Sequence, residues 1–151
     1  MLDLKQVYGF DPMPASLSPA EQGHVLGLQA NLWTEAVRTE AQADEMAFPR
    51  AAAVAEIGWS PAQGRDFADF ARREAAQIER DRALGFDDSW SAYAPRVEAQ
   101  AAGAGRVRIT LSNQSGFGQI RYTLDGSEPR PDSPAFEAPL ETGAPVRLRA
   151  L

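Results

Sequence analysis

The hydrophobic period of this chain changes near residue 98, and that change forbids a single uniform architecture. Upstream, apolar residues recur at helical spacing. In "RDFADFARREAAQIERDRAL" (65–84), Phe67, Phe70, Ala71, Ala75 and Ile78 form one stripe with charges opposite. That predicts an amphipathic helix, stopped by Gly85. Downstream, "RVRITL" (106–111), "QIRYTL" (119–124) and "VRLRAL" (146–151) alternate polar and apolar residues, the period of half-buried strands. The small-residue stretch "EAQAAGAGR" (98–106) reads as a linker, and "DGSEPRPDSP" (125–134) as a turn-rich loop. Helices giving way to strands with Pro/Gly turns predict two domains, residues 1–98 and an appended β-sandwich over 99–151. A sandwich needs roughly seven strands. Far fewer are visible, so the second domain reads as cut short at Leu151.

Residues 1–24, "MLDLKQVYGFDPMPASLSPAEQGH", read as a long irregular connection broken by Pro12, Pro14 and Pro19, with a short helical turn after Ser18. "VLGLQANLW" (25–33) is a short, nearly continuous apolar run, which predicts a strand buried on both faces, as in a parallel sheet. The stretch that follows is rich in helix formers, and Met46, Ala51, Val54, Ala55 and Trp59 can share one face. Pro49 either kinks this segment or begins a second helix, and Ser60-Pro61 closes it. Strand, loop and helix in that order make one unit of a (β/α) barrel. A start inside a loop and an end inside a strand lead us to expect a piece of a longer polypeptide.

Composition narrows the chemistry. The net charge is −6 and no segment is dense in Lys or Arg, which disfavours nucleic acid and anionic membranes as partners. With no cysteine, thiol catalysis, disulfides and Cys-ligated metals are excluded. The single histidine, His24, cannot build a multi-His metal site and reads as a loop or strand-edge residue. No segment approaches the roughly 18 apolar residues of a membrane span. No cofactor is expected.

The apolar run ends on Trp33 and Glu35, with Thr34 between them. In a (β/α) barrel the C-terminal ends of the strands carry the active site. Residues i and i+2 lie on one side of an extended chain, so the two side chains can converge on one ligand. An indole offers a flat apolar surface to the C–H face of a pyranose, and a carboxylate accepts hydrogen bonds from its hydroxyls. Spacing alone leaves two readings open: strand-end packing with Glu35 as a helix N-terminal charge, or one wall of a sugar site.

"VLGLQANLWTE" followed by "MAFPRAAAVAEIGWS" closely resembles the end of the catalytic domain in glycoside hydrolase family 20, the β-N-acetylhexosaminidases and chitobiases. The matching residues are Trp33, Glu35, Phe48, Pro49, Arg50, Ala55, Glu56, Trp59 and Ser60. "VYGFDPMP" (7–14) resembles the loop before that strand, and "IRYTLDGSEP" (120–129) resembles the start of the family's small C-terminal sandwich domain. The resemblance implies α/β structure followed by β: the last β/α unit of a (β/α)8 TIM barrel plus a helix, then the start of an immunoglobulin-like β-sandwich. It implies that Trp33 stacks under a terminal N-acetylhexosamine and that Glu35 binds its outer hydroxyls. It further implies substrate-assisted catalysis, in which the 2-acetamido oxygen attacks the anomeric carbon while a Glu protonates the leaving group and an adjacent Asp orients the acetamide.

That Asp-Glu pair has no counterpart here. Asp87-Asp88 and Asp44-Glu45 lie after the last barrel strand and are assigned no catalysis. Arg50 and Glu56 read as scaffold ion-pairing residues, and Tyr122 and Asp125 as hairpin and turn residues. The substrates implied are N-acetylhexosamine-terminated glycans or chitooligosaccharides, met by a periplasmic or secreted parent enzyme. The piece itself is expected to be inactive and, with unpaired strand edges, prone to self-association. The runner-up is a non-catalytic carbohydrate-binding or protein-interaction module with Trp33 buried and no open cleft.

Overall fold

A computed structural model describes residues 2–84 and 90–151. The chain divides into two compact units, Met1–Ala92 and Tyr93–Leu151.

The first unit is helical: α1 (Leu4–Tyr8), α2 (Pro19–Gln22), α3 (Glu40–Ala47), α4 (Arg50–Trp59) and α5 (Phe67–Ala83). Local chemistry explains most of the boundaries. Ser18 and Glu21 form a capping box with Pro19 at the first helical position, so α2 is the short turn expected after Ser18. Thr39 caps α3 by accepting from the Gln42 N–H at 3.1 Å. Pro49 stands between α3 and α4, so it begins a second helix, and Ser60 ends that helix as expected. Asp66 caps α5, its Oδ1 accepting from the Ala68 and Asp69 N–H groups at 2.7 and 3.1 Å. Arg80 and Arg82 in its last turn suit the negative end of the helix dipole. The predicted stop at Gly85 lies outside the described residues.

Three expectations for this unit are corrected. The opening stretch is not wholly irregular, because Leu4–Tyr8 is helical and both end residues are buried. In α4 the buried residues are Arg50, Ala53 and Ile57, whereas Trp59 is 89% exposed. The packed face is therefore rotated from the one the apolar residues suggested, because it accommodates the polar ends of Arg50 and Glu56. Finally, residues 25–34 adopt no regular structure. A parallel-sheet strand exists only through pairing, and among the described residues no strand pairs with this run. In α5, Phe70, Ala71 and Ile78 are buried, as predicted, with Glu74 beside them.

The second unit holds β1 (Arg96–Gly103), β2 (Arg106–Ser112), β3 (Tyr122–Thr123), β4 (Leu140–Gly143) and β5 (Arg149–Ala150). One antiparallel sheet has the order β1-β2-β4; the other pairs β3 with β5. The predicted linker is in fact most of β1, paired with β2 so that Ala99 faces Ile109 and Val97 faces Leu111. Gly103, Ala104 and Gly105 all have positive φ and close this hairpin, a turn that glycines favour. Every residue of β1 is exposed, while Ile109 and Leu111 on β2 are 3% and 4% exposed, so the core of this unit starts at β2. The strand predicted at the C-terminus is short, but its pairing continues, with the Leu151 N–H donating to the Arg121 carbonyl at 2.9 Å.

The rotated face of α4 can be checked by denaturant unfolding. Ile57→Ala, on the buried face of α4, is expected to cost about 2–5 kcal/mol as a buried truncation. Trp59→Ala should stay within about 0.5 kcal/mol of the parent. A large loss at Trp59 would contradict this packing.

Candidate functional site

Trp33 and Glu35 stand at the surface: the indole is 73% exposed and Glu35 is exposed too. The Val37 N–H donates to the Thr34 carbonyl at 3.1 Å, so the chain turns directly at the pair. Just before it, Gln29 Nε2 donates to Asn31 Oδ1 at 2.6 Å. The exposed indole argues against the interaction-module reading, which required it to be buried. Below the run, the loop at Asp11–Met13 and the chain at Val25–Leu28 border a cleft of about 290 Å³ against the end of α4. Asp11, Ser60 and Arg65 supply its polar groups, and Trp33 and Glu35 are not among its lining residues.

Two other family-matching residues, Arg50 and Glu56, tie the helices together. Arg50 is buried; its Nε donates to the Leu2 carbonyl at 2.8 Å and its Nη1 to the Met46 carbonyl at 3.4 Å. Glu56 accepts from the Tyr8 hydroxyl at 2.7 Å and from Arg73 Nη2 at 2.6 Å. Arg73 Nε in turn donates to Asp69 at 2.7 Å. The Glu56 contacts join α1, α4 and α5, the scaffold ion pairing expected of it, while Arg50 ties the start of α4 to the Leu2 and Met46 carbonyls.

Sequence reasoning missed Tyr8 and Arg73. The available signals were Tyr8 inside "VYGFDPMP" and the i,i+4 spacing of Asp69 and Arg73. Burial, then the hydrogen bond to Glu56 and its negative charge, push the Tyr8 phenol up to about 12. Hydrogen bonds from Arg73 and Arg72 hold the Asp69 carboxyl below the usual range.

Asp44 and Glu45 do not line that cleft. Asp44 and Glu45 lie in the second half of α3, and Asp87 and Asp88 lie outside the described residues. Asp125 accepts from the Ser127 N–H at 2.9 Å beside Gly126 at φ +84°, which is the turn role anticipated. The Tyr122 ring lies 6.5 Å from Phe136, edge to face.

Residues 1–62 match the family model "Glycosyl hydrolase family 20, catalytic domain", and residues 100–151 match "Chitobiase/beta-hexosaminidase C-terminal domain". A "Beta-hexosaminidase" of Porphyromonas gingivalis is 36% identical over 145 residues, 91% of this chain and 18% of its own length. A "Beta-N-acetylhexosaminidase" of Cellulomonas fimi is 33% identical over 104 residues, 68% of this chain and 20% of its own length. A "Beta-hexosaminidase" of Vibrio vulnificus is 40% identical over 76 residues, 40% of this chain and 9% of its own length. The chain thus spans about a fifth of the length of its first two relatives. The matches define a class, a glycosyl hydrolase catalytic segment followed by a hexosaminidase-type C-terminal module. The chain belongs to glycoside hydrolase family 20.

The Tyr8 contact has a titration signature. Its raised pKa means the folded state holds the phenolic proton more tightly than the unfolded state does. That contribution is complete below pH 10, the ordinary phenol value, and is lost as pH rises towards about 12. An ultraviolet phenolate titration should show a late-ionising component that disappears in Tyr8→Phe and moves earlier in Glu56→Gln. Ordinary titration of all the tyrosines would contradict the burial and hydrogen bonding assigned to Tyr8.

Proposed function

We propose that this chain is the C-terminal portion of a β-N-acetylhexosaminidase and supplies one gripping wall of its sugar site. The observation that carries this reading is the outward-facing Trp33 indole with Glu35 two residues on, within the segment matched to the catalytic domain. In the longer protein, residues 25–33 form the last strand of a (β/α)8 barrel, whose neighbouring strands provide the pairing they lack here. The indole stacks against the apolar face of a terminal N-acetylhexosamine. The carboxylate accepts hydrogen bonds from its outer hydroxyls, and charge-assisted bonds of this kind are the stronger ones.

Hydrolysis in the parent proceeds with the substrate's own acetamido oxygen as nucleophile, so no enzyme carboxylate is glycosylated. The proton donor and the acetamide-orienting Asp belong to earlier strands. The substrates are terminal N-acetylhexosamine residues of glycans or chitooligosaccharides, and the parent acts in the periplasm or outside the cell. The C-terminal module is the start of a small β-sandwich domain. The exposed apolar run, with Leu26 97% exposed, favours self-association when this chain is isolated.

Two measurements test the reading. The 151-residue chain should not hydrolyse an aryl N-acetylglucosaminide above the uncatalysed rate. In the full-length protein, Trp33→Ala should raise KM, and Glu35→Gln should lower kcat/KM by about 10- to 100-fold, without loss of folding. Turnover by the isolated chain, or wild-type kinetics in both variants, would sink it.

A further inference from the structure

We propose that Leu28 and Gly58 are positioning residues: the Leu28 side chain sits on the bare backbone of α4 at Gly58 and sets where the Trp33 wall stands. The proposal rests on the sugar-wall reading above. A Cβ built on Gly58 would lie 2.8 Å from Leu28 Cδ2, closer than carbon atoms pack, so any side chain at residue 58 obliges the Leu28 tip to move. Gly58 lies inside α4 and its φ is not positive, so backbone conformation does not call for glycine there. In a helix interior glycine is less favourable than alanine. The close approach of Leu28 is what gives Gly58 a purpose.

Leu28 is also the anchor of its own segment. Among residues 26–34 it alone is not exposed. The Gln29–Asn31 hydrogen bond shows residues two apart projecting to one side of the chain. Trp33 follows five residues on, with every residue between it and Leu28 exposed. The Leu28 contact therefore sets how far the run stands from the helix. Misplacing a positioned group by about 1 Å can cost on the order of 10²-fold in rate.

The test is KM, kcat and Tm for an aryl N-acetylglucosaminide in the full-length protein. A methyl at position 58 can be absorbed by Leu28 turning its tip into the adjoining cleft, which both residues line. The variant is therefore Gly58→Leu, whose side chain takes the whole seat. We expect KM to rise about tenfold with kcat changed less, the pattern of lost uniform binding. Tm should not fall, because leucine is the better helix former. Leu28→Ala alone should also raise KM, and the double variant Gly58→Leu/Leu28→Ala, which exchanges volume across the contact, should return it towards the parent value.

If Gly58 is merely an exposed helical position, Gly58→Leu raises Tm and leaves KM alone. Wild-type KM in both single variants, while Trp33→Ala still raises it, overturns this inference and leaves the sugar wall standing. Unchanged KM in Trp33→Ala removes the wall itself. Should Gly58→Leu not fold, Leu28→Ala and the double variant decide. A raised KM in the first with recovery in the second upholds the contact, and a wild-type KM in Leu28→Ala overturns it.

Discussion

The carboxylate of Glu56 is the point on which the first unit depends. It takes the Tyr8 hydroxyl on one oxygen and the Arg73 guanidinium on the other, at 2.7 and 2.6 Å. Around this junction the Tyr8 ring stacks on Phe70 with centroids 4.8 Å apart and meets Phe67 edge-on at 5.5 Å. The polar clamp and the aromatic cluster reinforce each other. Apolar rings exclude water, which strengthens the hydrogen bonds, and the hydrogen bonds satisfy polar atoms that would otherwise oppose burial. Asp69 completes the chain by holding Arg73 in place. Because α1, α4 and α5 converge here, everything α4 supports inherits its position from this clamp.

How much was legible beforehand follows from where the relevant physics is local. The helix α5 was legible because its apolar stripe lies within one segment, and the Asp66 cap and terminal arginines act there too. The break at Pro49 was legible for the same reason. The packed face of α4 was not, because burial there includes Arg50 and lies beside Glu56, charged groups that a hydrophobic pattern counts as outward-facing. The strand β1 was misread because Ala, Gln and Gly have weak strand preference. Its identity comes from pairing with β2, a tertiary fact. The run at 25–33 illustrates the converse: its apolar character suits a strand, yet a strand without neighbours has nothing to bond with.

The site was legible in part. Spacing placed Trp33 and Glu35 together but favoured packing, and only the larger motif pattern turned the reading towards a sugar wall. The exposure of the indole accords with that reading, while Arg50 and Glu56 belong to the frame below it. The division between an exposed pair proposed to grip sugar and a pair that holds the helices lets a single motif carry both ligand contacts and fold. It also separates gripping from chemistry, since the groups proposed to transfer protons and orient the acetamide reside on other strands.

The most direct measurement is a crystal structure of the full-length protein with N-acetylglucosamine bound. The account predicts the Trp33 indole beneath the pyranose ring, Glu35 hydrogen-bonded to its outer hydroxyls, and residues 25–33 paired as a barrel strand. A sugar bound elsewhere, with Trp33 packed into the protein interior, would contradict it.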